Sequence, residues 1–314
     1  MEIPVYLFTG FMDSGKTSLI METLLENDFG TGNRNLIIAC EDGETEYDEE
    51  KLAEIQTTVV AAGEEETFTK AYLQACDTEF KPDQVFIEYN GTWDSATILE
   101  MDLPKDWVLV QSLATVDAST YEMYLNNMRP MMMEQVFHTD VVIFNRCTDD
   151  TPKGKFRRSV KAVNRKAQIV YEREDGTVDQ NDMEELPYDI NQDFIHITDE
   201  DYGIFYLDVQ DHPQKYEGKT IRFLGLVYRP DKYGRKPFFV PGRFAMTCCE
   251  EDIQFVGFKC KYENAKEISH KSWVDLTAEV HYEFAKEYRG KGPVLYAKEV
   301  KLTQAPQEEL VYFN

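Results

Sequence analysis

The stretch GFMDSGKT at Gly10–Thr17 decides the fold of this chain, because it fits the phosphate-binding pattern G-x-x-x-x-G-K-S/T. The apolar run Ile3–Phe8 before it predicts a strand, and the run Ser18–Leu25 after it has the apolar spacing of a helix. Glycines allow backbone angles that turn amide N–H groups toward a phosphate, and the start of the helix adds the positive end of its dipole. A strand, a loop and a helix in this order predict a nucleotide-binding site.

The side chains of this loop have distinct expected roles. Lys16 is expected to reach the β- and γ-phosphates, and the Thr17 hydroxyl is expected to ligate Mg²⁺. Further nucleotide contacts are expected from other residues of the loop and of the first helical turn, which are Gly10, Asp13, Ser14, Gly15 and Ser18. The alternative is a glycine turn that carries Lys-Thr by coincidence, and the match of both motif and context disfavours it.

The charge of the chain is unevenly distributed. The 314 residues, enough for two domains of about 150 residues each, carry a net charge of −25. Residues 1–199 hold 16 Lys/Arg and 40 Asp/Glu, so most of the acidity belongs to the first domain. A nucleic-acid partner is therefore not expected, because phosphate contacts need surplus positive charge. The sequence has no apolar run of membrane-spanning length and no signal-peptide pattern, which predicts a cytoplasmic protein with reduced cysteines.

Up to about residue 175, strand-like runs alternate with helical stretches. This alternation predicts the parallel α/β sheet of a P-loop NTPase, with helices on both faces and ligands at the carboxyl ends of the strands. Strands are predicted at Val5–Phe8, Leu36–Cys40, Gln84–Glu88, Val108–Val116, Val141–Phe144 and Gln168–Tyr171. Helices are predicted at Lys16–Glu26, Glu66–Cys76, Ala118–Asn127 and Lys155–Asn164.

The second part of the chain follows a different pattern. Five short strands separated by Gly/Pro turns predict a small antiparallel all-β domain, either an OB-like barrel or a sandwich. They are predicted at Thr220–Tyr228, Phe238–Thr247, Ile253–Cys260, Trp273–Glu283 and Val294–Leu302. The predicted division is a nucleotide-binding domain at 1–188, a linker at 189–205 and the β domain at 206–314.

Polar residues follow the predicted strands at the edge where a nucleotide is expected. Glu88 ends an apolar strand, and a carboxylate there can hold Mg²⁺ or its waters. Glu41 and Glu44 follow another strand and are candidate metal ligands. The last group of candidates lies where a base-reading loop is expected and comprises Asn145, Arg146 and Asp149.

Taken together, these segments resemble the CobW/UreG/HypB group of metal-linked P-loop GTPases, and the CobW branch most closely. The resemblance covers roughly residues 3–171. The matching motifs are the phosphate loop at Gly10–Thr17, the E-F-G-E segment at Glu41–Glu44, the E-x-x-G strand end at Glu88–Gly91 and the V-D-A segment at Val116–Ala118. It implies Mg²⁺-dependent binding and hydrolysis of GTP, with Lys16, Glu41 and Glu88 as catalytic residues and Gly91 at the nucleotide. Slow hydrolysis is expected, because no arginine finger or water-orienting residue can be assigned in the sequence.

The chain departs from the family pattern at three places. The thiolate metal motif of the CobW branch is replaced by Ala62–Thr67, in which carboxylates stand where zinc or cobalt ligands are usual. These carboxylates are either hard-ion ligands or an acidic, solvated helix start, which is the favoured interpretation. The base-reading loop has Thr148 where an aspartate is usual and Asp149 one position later, so ATP stays open beside GTP. Asp13 lies inside the phosphate loop, where it is expected to weaken nucleotide binding or to orient a water.

The second domain resembles the C-terminal domain of YcgQ-type proteins, which are permease-subunit-like. Its motifs lie in Tyr216–Tyr228 and Phe239–Asp252. Cys248 and Cys249, together with Cys260, are either zinc or cobalt ligands or small buried apolar residues. Neighbouring residues of a regular strand point to opposite faces, so the first two grip one metal only if the strand ends or bulges there.

Two functions follow from these observations. The first is a GTPase that couples its nucleotide state to metal delivery to a receiving protein or to a partner complex. The alternative is a non-catalytic, nucleotide-binding regulatory protein that docks on a permease-like membrane partner.

Overall fold

The computed structural model describes residues 2–25, 29–179, 186–234, 236–247 and 252–313. The chain divides into two compact units. The first comprises Met1–Lys153 and Val163–Asp182, and the second comprises Gly154–Ala162 and Met183–Asn314. Residues 189–205, predicted as a linker, fall within the second unit. No helix among the described residues is both long and apolar enough to cross a membrane.

The first unit is built on a sheet whose strands all run parallel. Its strands are β1 Ile3–Thr9, β2 Asn35–Ala39, β3 Thr57–Ala61, β4 Gln84–Glu88, β5 Trp107–Asp117, β6 Val141–Cys147 and β7 Gln168–Arg173. Its helices are α1 Lys16–Leu25, α2 Glu49–Glu54, α3 Lys70–Phe80, α4 Ser95–Glu100, α5 Tyr121–Asn127 and α6 Arg129–Phe137. A further helix, α7 Lys153–Val163, belongs largely to the second unit.

The strand order β3-β2-β4-β1-β5-β6-β7 places β1 at the centre of this sheet. β4 is buried along its whole length, because a parallel sheet covered on both faces calls for near-continuous apolar runs such as Val85–Ile87. The register pairs Phe8 of β1 with Glu88 of β4. The loop after β1 therefore lies beside the carboxyl end of β4, as the predicted P-loop NTPase sheet requires.

The second unit contains a closed barrel of five strands. Its elements are β8 Phe194–His196, α8 Tyr202–Asp211, β9 Thr220–Tyr228, β10 Phe238–Met246, β11 Ile253–Gly257, β12 Lys259–Lys261, β13 Trp273–Ala285, β14 Gly290–Thr303 and β15 Leu310–Val311. The ring runs β9-β10-β12-β14-β13 and returns to β9. The prediction of an OB-like barrel is confirmed.

Two details of the barrel correct the sequence-based expectations. The barrel is mixed rather than antiparallel, since β12 and β14 run parallel. The strand predicted at Ile253–Cys260 is two strands, separated by the buried residue Phe258. The break follows Gly257, whose backbone approaches Gly242 so closely that a Cβ would lie 2.7 Å from the Pro241 carbonyl oxygen.

A buried arginine fixes the last segment of the second unit. Arg243 is fully buried, and its guanidinium donates to the carbonyl oxygens of Glu308 (2.5 Å) and Glu309 (3.2 Å). It also pairs with Asp199 and lies 5.2 Å from the ring centre of Trp273. These contacts satisfy a charge that burial alone would make very costly.

Candidate functional site

The phosphate loop connects β1 to α1 as the motif predicts. Gly10 and Gly15 adopt φ angles of 127° and 100°, which favour glycine. Space is a second constraint, because a Cβ at Gly10 would lie 2.3 Å from the Thr115 carbonyl oxygen. The loop closes on itself through the Ser14 amide, which donates to the Phe11 carbonyl at 3.1 Å. The cavity that it borders measures about 60 Å³.

Lys16 lies inside this loop with a side chain that is 1% exposed. Its ammonium donates to the carbonyl oxygens of Gly10 (2.7 Å) and Phe11 (2.9 Å), and it pairs with the carboxylate of Glu41. The other carboxylate oxygen of Glu41 accepts the Gly91 amide at 3.4 Å. Glu41, predicted as a catalytic or metal-ligating residue, thus contacts Lys16, the predicted phosphate-binding residue, and the strand-end glycine Gly91 in this structure.

Glu88 is the buried carboxylate of the site. One of its oxygens accepts the Thr17 hydroxyl at 2.6 Å, and the other accepts the Tyr47 hydroxyl at 2.6 Å. Burial raises the pKa of Glu88, and the two hydrogen bonds oppose that rise. Burial likewise raises the pKa of Tyr47, so its hydroxyl stays a donor. Sequence reasoning named Thr17 and Glu88 individually; it singled out the segment Glu41–Asp48 as a candidate switch loop but did not name Tyr47 within it.

Asp13 holds a backbone group of the neighbouring segment. Its carboxylate accepts the Glu44 amide at 3.0 Å, and its own φ of 58° is left-handed. Aspartate tolerates that conformation better than most residues other than glycine. The predicted effects of Asp13 on the nucleotide stay predictions.

The predicted base-reading residues are separated in the structure. Asn145 donates from its side-chain amide to the Ser14 carbonyl at 2.6 Å, and its buried side-chain oxygen has no hydrogen-bond partner in the described part of the chain. Arg146 donates to the Asp13 carbonyl at 3.1 Å and pairs with Asp117. Asp149, by contrast, is 86% exposed and pairs with Arg173 at 2.6 Å. Only the first two of the three predicted residues contact the phosphate loop.

The Asp117 carboxylate is the anchor for Arg146. Burial acts to raise the pKa of Asp117, but hydrogen bonds from Ser119 and Arg146 outweigh it and leave that pKa below its ordinary value. The carboxylate therefore stays charged and holds the guanidinium beside the loop. A register shift in the pairing of β6 with β7 between Phe144 and Cys147 accompanies this arrangement.

A glutamine that sequence reasoning missed joins two of the predicted segments. Gln135 of α6 is 3% exposed; its side-chain oxygen accepts the Gly10 amide and its side-chain nitrogen donates to the Gly91 carbonyl, both at 3.1 Å. The two backbones pass so closely that a Cβ at Gly91 would lie 2.2 Å from the Gly10 carbonyl oxygen. Gln135 directly follows Glu134 in α6, so nothing in the local sequence singles it out.

The predicted transition-metal ligands do not form a cluster in the described part of the chain. Among the described residues, no group of three or more His, Cys, Asp or Glu side chains is arranged to hold a metal ion. Glu64 and Glu66 are exposed, as the favoured solvated interpretation expects. Cys260 is fully buried in the barrel core, where burial raises the pKa of its thiol. Cys248 and Cys249 lie outside the described residues.

Comparisons with known proteins match two consecutive parts of the chain. The model of the CobW/HypB/UreG nucleotide-binding domain matches residues 4–171, and the model of the DUF1980 C-terminal domain matches residues 173–313. A curated relative is the UPF0703 protein YcgQ of Bacillus subtilis (strain 168), which is 22% identical over 118 residues. That match covers 38% of this chain and 41% of YcgQ.

Solved structures also resemble this chain. The Zn(II)-bound YjiA GTPase from E. coli aligns with a TM-score of 0.44 and 23% identity, over 57% of this chain and 60% of that protein. The hydrogenase maturation factor HypB from Archaeoglobus fulgidus aligns with a TM-score of 0.40 and 16% identity, over 55% and 81%. This chain spans less than two thirds of the length of YcgQ and of YjiA.

Proposed function

The chain belongs to the CobW/HypB/UreG family of P-loop GTPases, and on that premise we propose that it binds and slowly hydrolyses a nucleoside triphosphate, GTP in the first place, with Mg²⁺. The observation that carries the proposal is the pair formed by Thr17 and Glu88, 2.6 Å apart at the edge where Lys16 lies. The nucleotide state would be coupled to metal handling or to a partner complex. A cytoplasmic location is part of the proposal, and the free thiols of Cys40, Cys76, Cys147 and Cys260 agree with that compartment.

The oxygen atoms at this edge fit a magnesium ion. Hydroxyl and carboxylate oxygens are the hard ligands that Mg²⁺ prefers, and Thr17 and Glu88 supply one of each. A bound Mg²⁺ would neutralise charge on the phosphates. The chain itself contributes the loop amides, which bind phosphate oxygens, and Lys16, which places a positive charge on them. A slow rate is expected because no residue is assigned to orient the attacking water.

Guanine preference has weaker support than phosphate binding. The carboxylate of Asp149, the expected acceptor for guanine, is committed to Arg173. The buried side-chain oxygen of Asn145 is an acceptor in the described part of the chain that lacks a donor, and a base N–H is one candidate for it. We therefore keep ATP as the second candidate substrate.

A binding and hydrolysis experiment tests this proposal. GTP and ATP are titrated against the protein with Mg²⁺, and phosphate release is followed with and without Zn²⁺ or Co²⁺. We expect micromolar or tighter GTP binding, a slow release of phosphate, and loss of both in Lys16→Ala. The exposed Lys70, which pairs with Asp102 at 3.1 Å, supplies the matched control Lys70→Ala.

Two results would redirect the proposal. A clear preference for ATP would contradict the guanine assignment. Binding without hydrolysis under every metal condition would favour the alternative, a nucleotide-binding regulator that docks on a permease-like partner. The match of the second unit to the DUF1980 C-terminal domain model is what favours that alternative.

A further inference from the structure

We propose that the carboxylate of Glu41 takes the place of the terminal phosphate of a nucleoside triphosphate, so that the triphosphate must displace it to bind. This inference rests on the proposed nucleotide-binding function and adds a regulation of the same site. It assigns to Glu41 a role in the affinity for nucleotide rather than in the chemical step. Three sets of contacts support it.

The first set concerns the donors that Glu41 contacts. One carboxylate oxygen of Glu41 pairs with the ammonium of Lys16, and the other accepts the backbone N–H of Gly91 at 3.4 Å. An ammonium and a backbone N–H are the donors that typically hold phosphate oxygens. A side-chain carboxylate that contacts both satisfies them in the same way as an anionic phosphate oxygen would.

The second set concerns the capacity of Lys16. An ammonium has three N–H donors, and Lys16 uses them on the carbonyls of Gly10 and Phe11 and on Glu41. Of these partners, only Glu41 carries a charge and belongs to a different segment of the chain. A terminal phosphate that takes the position of the Glu41 carboxylate on Lys16 therefore exchanges with it. If Glu41 stayed in place, two negative charges would lie side by side in a buried site, which is strongly unfavourable.

The third set concerns the segment that carries Glu41, which we call the strap and define as residues 41–47. Two hydrogen bonds hold the strap. In its middle the Glu44 amide donates to the Asp13 carboxylate, and at its end the Tyr47 hydroxyl donates to the Glu88 carboxylate. Displacement of Glu41 from Lys16 therefore moves one end of the strap. At the other end, Tyr47 contacts Glu88, the predicted Mg²⁺ ligand. Nucleotide binding and the position of the strap are thereby linked, and the linkage is reciprocal.

The dimensions of the site agree with an exchange. The cavity beside Lys16 measures about 60 Å³ and is lined in part by Glu41 and Thr45 of the strap. Small-molecule sites typically measure about 300–1,000 Å³. Withdrawal of Glu41 from Lys16 enlarges the cavity on the side where a terminal phosphate would enter.

The test compares a diphosphate with a triphosphate. GDP and a non-hydrolysable GTP analogue are titrated with Mg²⁺ against the wild-type protein and Glu41→Gln. The substitution removes the charge and keeps the size of the side chain. We expect the analogue to bind at least about tenfold more tightly to Glu41→Gln, because Lys16 is left without a counter-charge, and GDP to gain clearly less. Glu46→Gln is the matched control, since Glu46 is an exposed strap residue with the same charge, and it should leave both affinities unchanged.

The outcomes separate this inference from the proposed function. Equal affinity of wild type and Glu41→Gln for the analogue, or an equal gain for both nucleotides, would overturn the inference and leave the proposed function intact. Failure of both proteins to bind either nucleotide would overturn the two together. If circular dichroism shows that Glu41→Gln does not fold, Glu41→Asp replaces it. The shorter side chain draws the carboxylate away from Lys16, and the same selective gain is expected on a smaller scale.

Discussion

At the scale of single residues, the site combines fixed polar contacts with charged ones. Asn145 and Ser14 meet through a neutral amide contact, whereas Lys16 and Asp13 face carboxylate or amide groups of the strap. Neutral contacts in buried positions change little with pH or salt, and charged ones respond to both. Substitutions that remove a charge should therefore alter the contacts of Lys16 and Asp13 and leave the contact between Asn145 and Ser14 unchanged.

Asp13 gives the first prediction. In Asp13→Gly we expect GDP to bind about two- to fivefold more tightly, the range that loss of an exposed repulsive charge of up to about 1 kcal/mol allows. Glycine also suits the φ of 58°, so the fold should tolerate the change. Asp13→Asn is the companion variant, because it removes the charge and keeps an acceptor for the Glu44 amide. Equal GDP affinity in the wild type and both variants, measured by titration calorimetry, would make Asp13 a bystander.

The pair Arg34–Asp83 gives a pH-dependent prediction. Two N–H groups of the Arg34 side chain donate to Asp83 at 2.8 and 3.0 Å, its backbone N–H donates at 2.9 Å, and these bonds lower the pKa of Asp83 to about 2. Because the folded pKa lies below the unfolded one, the pair stabilises the fold above about pH 4 and loses that effect as the pH falls toward about 2. Both side chains are about half exposed, so we expect Asp83→Asn to cost at most about 1 kcal/mol at pH 7.

Urea unfolding at pH 7 and pH 3 measures this effect. The difference between wild type and Asp83→Asn should shrink by about half at the lower pH. Asp102→Asn is the control, because Asp102 is 87% exposed and makes a single contact with Lys70. A difference that grows as the pH falls would contradict the assignment.

Residues within a motif were the part of the site that sequence could predict. Lys16 and Thr17 follow from a local pattern, and Glu88 follows from its place at the end of an apolar strand. Tyr47 and Gln135 could not be found in this way, since their partners lie 41 and 125 residues away along the chain. Such contacts arise only when the sheet brings distant loops together.

At the scale of elements, the site is built on the segments that follow the carboxyl ends of β1 and β4, Gly10 and Gly91, which we call the floor of the site. Gly10 and Gly91 follow these strands, and the side chain of Gln135 joins them from α6. An amide that bonds two backbone groups at once leaves both unsatisfied if it is lost, at about 1–3 kcal/mol for each buried group. The floor thus depends on α6 as much as on the loop motif.

Gly91 tests how closely the floor is packed. In Gly91→Ala the added methyl would meet the Gly10 carbonyl oxygen at 2.2 Å, which forces the backbones apart. We expect the free energy of unfolding to fall by about 1–3 kcal/mol and nucleotide binding to weaken strongly. Gly63→Ala is the control, because nothing lies within 4 Å of a Cβ there. Denaturant unfolding and GDP titration measure the two effects, and unchanged behaviour of Gly91→Ala would contradict the close approach.

Strands with consecutive apolar residues and amphipathic helices such as α7 were predicted from the sequence, whereas the edge strand β3 and the buried helix α8 were not. β1, β4 and β6 contain consecutive apolar residues that predict a strand, whereas β3 at the sheet edge begins with two threonines and has only Val59 and Val60 as large apolar residues. α8 was missed because it is buried nearly all round and so lacks the polar stripe that marks a surface helix. The break between β11 and β12 depends on a close approach of two backbones, which no local pattern encodes.

At the scale of the whole molecule, acidity and architecture divide along the chain. The first 199 residues carry most of the net charge of −25, and the residues of the barrel are close to neutral. Surface acidity of this kind disfavours association with nucleic acid and favours basic or cationic partners. The two units therefore present different chemistry to any partner.

Substitution of Arg243 tests how much its contacts stabilise the second unit. In Arg243→Met we expect the free energy of unfolding of this unit to fall by about 3 kcal/mol or more, because Asp199 and two backbone carbonyls are left without their donor. Arg243→Lys should rescue little, since an ammonium lacks the planar fork that reaches three acceptors. Arg222→Met is the control, because Arg222 is 47% exposed and pairs with Asp275 on the surface. Denaturant unfolding followed by circular dichroism should show a small effect in the control, and an equal effect in both would contradict this role.

The joint that Gln135 makes between Gly10 and Gly91 also has an evolutionary consequence. Gln135 bonds backbone groups of both glycines, and a side chain at Gly91 would meet the Gly10 backbone, so a change at either position opens the same joint and a change at the other does not compensate. Both positions should therefore be conserved together as sequences diverge. Joint conservation of the two positions would identify homologues that keep this contact between α6 and the phosphate loop, even where the sequence of the strap differs.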